Sequence, residues 1–434
     1  MKQYDSYKES GVEWIGKVPS HWEIMPLKFT GTFGNGLTYS PKDVVDNGIL
    51  VLRSSNIQNS SLSFEDNVYV SNVSKVLLVQ KGDVIICSRN GSAALVGKSA
   101  FIDKDINATF GAFMMRYIPK INKKYGFYLF QTAIGRYKGY FATTTINQLT
   151  KSTIGEMKVP LANTEEQTAI VDFLDNKCSE IDKVISAQQK RIALLQELKQ
   201  SVITHVVTKG LNPNVEMKDS GVEWIGKVPK HWEICKLKHV SSLYGRIGFR
   251  GYNQTDLVSE GEGAITLSPS NMQNGTMDCN KCSFLSWKKY YESPEIMIKD
   301  GDILFVKTGS TYGKTSLVNK LPMEATINPQ IVVFKDIKVN NHFLYYLLTN
   351  DIVQMQVSLT VGGSTIPTLS QDNILNYVIP IAPKNEQDEI ANYLDKKCKS
   401  IDSSISKAQH QVELLQEYKQ SLITEVVTGK RKVS

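Results

Sequence analysis

Two stretches of the chain, residues 166–208 and 386–428, carry apolar side chains at alternating intervals of four and three and contain no glycine or proline. In the first, the stripe runs through Leu174, Cys178, Ile181, Ile185, Gln188, Ile192, Leu195, Lys199, Val202 and Val206. In the second, it runs through Leu394, Cys398, Ile401, Ile405, Ala408, Val412, Leu415, Lys419, Leu422 and Val426. A spacing that averages about 3.5 residues over this length marks a coiled-coil seam rather than an ordinary surface helix. At ~1.5 Å per residue, each stretch would form a rod of roughly 64 Å. Lys199 and Lys419 interrupt the two seams at the same register, and a polar seam residue fixes alignment at some cost in stability. The pattern predicts that the rods pair with each other, antiparallel, within one chain. The residues expected to carry that pairing are Leu174, Ile181, Ile185, Ile192 and Leu195 in the first rod, with Leu394, Ile401, Ile405, Val412 and Leu415 in the second. The alternative is that each rod packs only on its own globular neighbour.

Ahead of each rod lies a segment of mixed pattern. Short β-rich runs such as Tyr69-Val70 and Ile331-Val332-Val333-Phe334 alternate with Gly, Asn and Ser turns, and stretches near 125–138 and 342–357 read as helices. The expected class is therefore α/β, of the α+β kind. The chain is also internally duplicated. Residues 10–28, SGVEWIGKVPSHWEIMPLK, recur at 220–238 as SGVEWIGKVPKHWEICKLK, with sixteen of 19 positions identical. The rods repeat at an offset of 220 rather than 210, so the middle of the second copy is ten residues longer. Echoes within the middles are faint: Gly82-Asp83 with Gly301-Asp302, Asn56-Ile57-Gln58-Asn59 with Asn271-Met272-Gln273-Asn274, and Thr145-Ile146 with Thr365-Ile366. Near-identical ends around divergent middles suggest one frame carrying two different readers. The expected organisation is 1–163, a globular domain with a Trp-rich lead-in; 164–210, the first rod; 211–383, the second domain with its lead-in; and 384–434, the second rod.

Composition and charge narrow the function. With 434 residues, 41% hydrophobic and 21% charged, the chain has enough apolar material for several cores. No run approaches the ~18 apolar residues of a membrane span, and the polar start Met1-Lys2-Gln3-Tyr4-Asp5-Ser6 is unlike a secretory signal, so a cytoplasmic location is expected. Six cysteines with one CxxC, Cys279 and Cys282, are read as reduced thiols rather than a metal set. The net charge of +7 lies within residues 1–163, where 19 basic residues face 12 acidic ones. That balance permits a polyanion partner without demanding one.

Catalytic motifs fail on spacing. GSTYGKT at 309–315 has three residues between its first Gly and the Gly-Lys, and GSAALVGKS at 91–99 has five, whereas a phosphate-cradling P-loop needs four. A shared Gly-rich loop bearing Arg89 and Lys98, or Lys307 and Lys314, suits a phosphodiester backbone better. No Pro-Pro-aromatic loop of a base methyltransferase is present. Asp300-Gly301-Asp302 is expected to open a strand. His21, His231 and Trp14, Trp22, Trp224, Trp232 are expected to form a structural clasp rather than an active site or a base-stacking surface.

At this point the chain resembles a known family. The SGVEWIGKVPxHWE lead-in, the duplicated EQ…LD…KC…ID…LLQE…KQS.IT rods and the two divergent domains are similar to the specificity subunit of type I restriction–modification systems. The resemblance covers the whole chain. It implies two target-recognition domains separated by two long antiparallel coiled-coil helices with a pseudo-twofold internal repeat. Each domain would read one half of an interrupted target on double-stranded DNA. It implies docking of methyltransferase subunits, two by the symmetry, a place for restriction subunits, and no catalysis or cofactor of the chain's own. S-adenosylmethionine, ATP and Mg would belong to the partners. Polar loop residues chosen as DNA contacts are Arg53, Asn56, Arg89, Asn90 and Lys98 in the first domain, and Arg246, Arg250, Asn271, Lys307 and Lys314 in the second. Arg suits guanine, and Asn suits adenine. Rival readings are a stand-alone DNA-binding regulator and an ATPase built on the Lys314 loop.

Overall fold

The computed structural model describes residues 3–141, 148–273, 275–361 and 367–433. The echo of Thr145-Ile146 with Thr365-Ile366, and Asn274, fall outside them. Contacts divide the chain into two compact units, residues 1–188 with 410–434, and residues 189–409. Both long helices form, as Thr164–Lys209 and Lys384–Val427. The division falls within the helices, so each unit holds one domain with part of each helix.

The first unit is built on two four-stranded sheets. One has the order Ser99–Phe101, Val84–Cys87, Met114–Pro119, Gly31–Asn35, antiparallel throughout. The other has the order Ala108–Phe110, Ile49–Leu52, Tyr69–Val70, Val44–Val45, with its first pair parallel. A helix, Lys123–Phe141, covers the region predicted near 125–138. The second unit repeats this plan. Its sheets run Thr315–Leu317, Ile303–Val306, Ile331–Lys335, Ser242–Gly245 and Ala325–Ile327, Gly263–Leu267, Ser283–Ser286, Leu257–Val258, again with one parallel pair at the matching place. The helix predicted at 342–357 is broken in two, Asn341–Thr349 and Asp351–Thr360. Asn350 causes the break: its side chain caps the second helix at the Ile352 amide, 2.9 Å, and reaches the Thr204 hydroxyl, 2.7 Å.

Each lead-in closes its domain. Glu23–Pro26 pairs antiparallel with Lys158–Leu161, the strand just before the first long helix, and Glu233–Lys236 pairs likewise with Val378–Ile381. This places Trp22 and Trp232, both fully buried, over the start of a helix. Trp22 Nε1 donates to Glu166 Oε2 at 3.0 Å, while His21 Nε2 lies 3.0 Å from the same oxygen. In the second unit Trp232 Nε1 donates to Glu386 Oε2 at 3.0 Å, and His231 Nε2 lies 2.6 Å from Oε1 of the same carboxylate. The neighbouring glutamines are buried as well. Gln167 Nε2 donates to the Ala162 carbonyl and its Oε1 accepts from the Asn122 amide, and Gln387 repeats both bonds with Ala382 and Asn340. The duplicated Glu-Gln pair is thus the hinge pin between lead-in, sheet and helix. Gly210 and Gly429, both in the left-handed region that ends helices, sit under Trp232 and Trp22 in their respective units.

The seam is real in both units. In the first, Leu174, Cys178, Ile181 and Ile185 share a core with Val412, Leu415, Leu422, Ile423 and Val426. In the second, Leu394 and Cys398 share one with Val202, Ile203, Val206 and Val207. Ile401 and Ile405 are buried, and Ile192 and Leu195 half-buried. Both cores also take in the domain, for example Phe130 in the first and Phe343 in the second, so pairing and domain packing coexist. The seam lysines find carboxylates on the facing helix: Lys419 with Asp182 and Lys199 with Asp402, each at 2.7 Å. Residue numbers rise on one helix as they fall on the other, which makes the pairing antiparallel. All six cysteines are free.

Candidate nucleic-acid interface

The first unit carries a groove of about 1460 Å³ between the two sheets' connecting loops. Its lining includes Tyr39, Arg53, Asp66, Arg89, Asn90 and Phe113. Two loops meet at its rim because their backbones are bonded: the Ser88 and Arg89 amides donate to the Phe113 carbonyl at 2.9 and 3.1 Å. The Arg89 guanidinium lies over the Phe113 ring, 5.4 Å from its centroid. Phe113 is 60% exposed and lines this groove.

The sequence-chosen residues separate into surface groups and internal staples. Asn56 is completely buried, and its amide nitrogen is spent on the Ser63 and Asp66 carbonyls, at 3.1 and 3.0 Å. Asn271 repeats this arrangement on the Asp278 and Lys281 carbonyls, at 3.1 and 3.0 Å. Each side-chain oxygen accepts the amide that opens its own turn, from Arg53 and from Ser268. Both asparagines are corrected from base readers to turn staples, because a buried amide with both ends bonded has nothing left to offer DNA. Arg246 is corrected in the same way. It is 5% exposed, donates to the Ile327 carbonyl and the Thr326 hydroxyl, and burial lowers its tendency to hold its proton. Lys98 and Lys314 are half-buried and equivalent: their ammonium groups tie the Gly-rich loop to the Ser54 and Pro269 carbonyls, each at 3.3 Å.

The others remain near the surface. Arg53 is held by Asp66 at 2.7 Å, whose carboxyl is kept below its usual range first by the Ser55 hydroxyl and then by Arg53. Asn90 spans the Ser54 hydroxyl and the Ser92 amide. Arg250 pairs with Glu295 at 3.3 Å. Lys307 is half-exposed on the second domain's equivalent loop, where its amide donates to the Gln330 carbonyl at 2.8 Å. The structure thus brings Arg53, Arg89 and Asn90 to one groove and buries Asn56 behind it.

The remaining chemistry resolves simply. Strand Thr315–Leu317 follows Lys314 directly, and strand Ser99–Phe101 follows Lys98, so neither loop opens a helix as a P-loop must. Asp302 and Asp83 each accept the amide three residues before them, at 2.9 and 2.8 Å, as strand-opening turns. The Trp clasp holds for Trp22 and Trp232, whereas Trp224 is 39% exposed. Missed in the sequence were Glu166 and Glu386 as clasp acceptors, and Asp175 and Asp395, which accept from the Tyr128 and Tyr346 phenols at 2.6 and 2.8 Å. Burial first pushes both phenols up, followed by Asp175 for Tyr128 and by Cys398 and then Asp395 for Tyr346. The signal was there in the repeated EQ and LD pairs. Phe113 carried no signal until its exposure was known.

These features define a duplicated domain-and-helix recognition scaffold, and comparison with known proteins identifies it. The type I restriction modification DNA specificity domain model matches residues 19–193 and 229–414, and the chain belongs to that family. The chain is 24% identical over 375 residues to the type I restriction enzyme MjaVIII specificity subunit of Methanocaldococcus jannaschii, covering 84% of this chain and 83% of that protein. It is 23% identical over 431 residues to the EcoKI specificity subunit of Escherichia coli K12, covering 95% and 90%. A solved structure from work on assembly and conformational transition of the type I restriction–modification system aligns with a TM-score of 0.68 at 14% identity, over 94% of this chain and 98% of that one, so the fold is shared. Among the described residues, no helix is long and apolar enough to cross a membrane.

Proposed function

We propose that this chain is the sequence-reading subunit of a type I restriction–modification complex, in which each domain reads one half of a bipartite double-stranded DNA target and the paired helices set the unread interval. The observation that carries this reading is the duplicated clasp and seam around two domains of identical topology but different loops. Methyl transfer and cleavage belong to methyltransferase and restriction subunits, which bring S-adenosylmethionine, ATP and Mg with them in the cytoplasm. Two methyltransferase subunits are favoured by a repeated exposed pair on the long helices: Leu194 and Leu198 on one, Leu414 and Tyr418 on the other, between 47% and 65% exposed. These sit at offsets of 220, one pair per unit, and each makes a one-turn apolar anchor for a partner helix.

The test is methylome sequencing of cells carrying the chain with its methyltransferase. The expected result is one interrupted motif, with methylation lost when the chain is deleted. Inserting four residues before Lys199, about one turn or ~6 Å, with a matched insertion in the facing helix, should lengthen the unread spacer and leave both half-sites intact. Altered half-sites would refute the role of the helices. The purified chain supplied with S-adenosylmethionine should transfer no methyl group, and measurable turnover would overturn the division of labour.

A further inference from the structure

The two domains present different chemistry at one equivalent place. In the first, the loop after Val84–Cys87 is bonded to the loop after Ala108–Phe110 through the Ser88 amide and the Phe113 carbonyl, 2.9 Å. In the second, the loop after Ile303–Val306 is bonded to the loop after Ala325–Ile327 through the Lys307 amide and the Gln330 carbonyl, 2.8 Å. The next residues match as well: the Leu149 amide donates to the Ser88 carbonyl at 2.7 Å, and the Leu369 amide to the Lys307 carbonyl at 2.8 Å. Arg89 and Thr308 each then bridge to the strand-like segment beyond, at Gln148 and Thr368. Phe113 and Gln330 are therefore the same position on one frame, and both are exposed.

What that position offers differs. In the first domain it holds the Arg89 guanidinium over an exposed ring, 5.4 Å from its centroid, and among the described residues no hydrogen bond or ion pair reaches that guanidinium. A planar fork held over a ring, with its donors unspent, is pre-ordered for a two-pronged acceptor. The other arginines of the candidate loops differ: Arg53 is held by Asp66, Arg250 by Glu295, and Arg246 is buried. In the second domain the tip is an amide pair. The Asn328 amide nitrogen donates to Gln330 Oε1 at 3.1 Å, and Asn328 Oδ1 accepts from the Gln330 backbone at 3.0 Å. Gln330 Nε2 is left free beside Gly309, where an added Cβ would stand 3.4 Å from it. An amide edge that both donates and accepts matches adenine in the major groove, as the arginine fork matches O6 and N7 of guanine.

We infer that Arg89, braced by Phe113, selects a guanine in the half-site of the first domain, and that Gln330, braced by Asn328, selects an adenine in the half-site of the second. This rests on the reading of the chain as a DNA specificity subunit. The test is methylome sequencing with the wild-type chain and with Arg89→Ala, Arg89→Lys, Phe113→Leu and Gln330→Ala, each expressed with the methyltransferase. Arg89→Ala and Arg89→Lys should relax one G·C pair in one half-site by about ten- to a hundred-fold and leave the other half-site unchanged, and Phe113→Leu should relax the same pair more weakly. Gln330→Ala should relax one A·T pair in the opposite half-site only. Full selectivity in Arg89→Lys beside uniformly weakened methylation in Arg89→Ala would make Arg89 a phosphate contact and overturn the inference. Unchanged motifs in all variants would overturn it while leaving the specificity-subunit reading intact. Absence of any bipartite motif in the wild type would overturn both.

Discussion

The clasp and the loop tips are built in opposite ways. At the clasp, the two copies agree residue for residue: Trp22, His21 and Glu166 in one, Trp232, His231 and Glu386 in the other. At the tips, the positions held by Arg89 and Phe113 in one copy are held by Thr308 and Gln330 in the other, on backbones bonded in the same pattern. The difference shows how a duplicated fold acquires two specificities. Residues that hold lead-in, sheet and helix together, such as Trp22, Gln167, Trp232 and Gln387, spend their polar groups within the unit, so substitution there costs stability. The tip residues Arg89, Phe113 and Gln330 lie outside that bonded frame, so substitution there should change recognition at little cost to the fold.

That contrast can be broken experimentally, beginning with the largest effect. Trp22→Ala should destabilise the first unit by about 3–5 kcal/mol, since a fully buried indole is removed and Glu166 loses its donor. Urea unfolding would read it, and Trp232→Ala should act equally on the second unit. A loss under about 1 kcal/mol would deny the clasp its role. Asn56→Ala should cost about 2–3 kcal/mol, because the Ser63 and Asp66 carbonyls lose their donor inside the domain. Arg89→Ala, chosen from the same group of polar loop residues, should stay within about 0.5 kcal/mol in the same assay. Lys199→Met and Lys419→Met should each change stability by less than about 1 kcal/mol, as partly exposed ion pairs contribute little. Their effect should appear instead in helix alignment, measured by cross-linking of cysteines placed at the expected facing positions.

Much of the frame was legible in the sequence because its signals are long or duplicated. The 3.5-residue stripe placed both long helices to within two residues at either end, and the seam lysines were marked by their shared register. The repeated EQ, LD and ID pairs flagged positions under constraint, though only the structure shows what each grips. The sheets were barely visible. Their strands run from two to six residues and mix a parallel pair with antiparallel ones, which is too short for a period of two to declare itself. Polar loop residues were the least legible. Asn56, Asn271 and Arg246 look like solvent-facing groups in the sequence, because the carbonyls that claim them come from turns and strands 7 to 81 residues away. The break at Asn350 was hidden for the same reason: its partner, Thr204, lies on the first long helix.

The central claim is that one frame carries interchangeable readers. The most direct measurement of that claim is the methylome of cells in which residues 28–162 are replaced by 238–382, so that both positions carry the second domain. Lys and Ala stand at the two ends of both segments, so the joints keep their residues. The account predicts a motif with two identical half-sites on opposite strands, separated by the wild-type spacer. Two unlike half-sites in a methylation-competent chimera would contradict it.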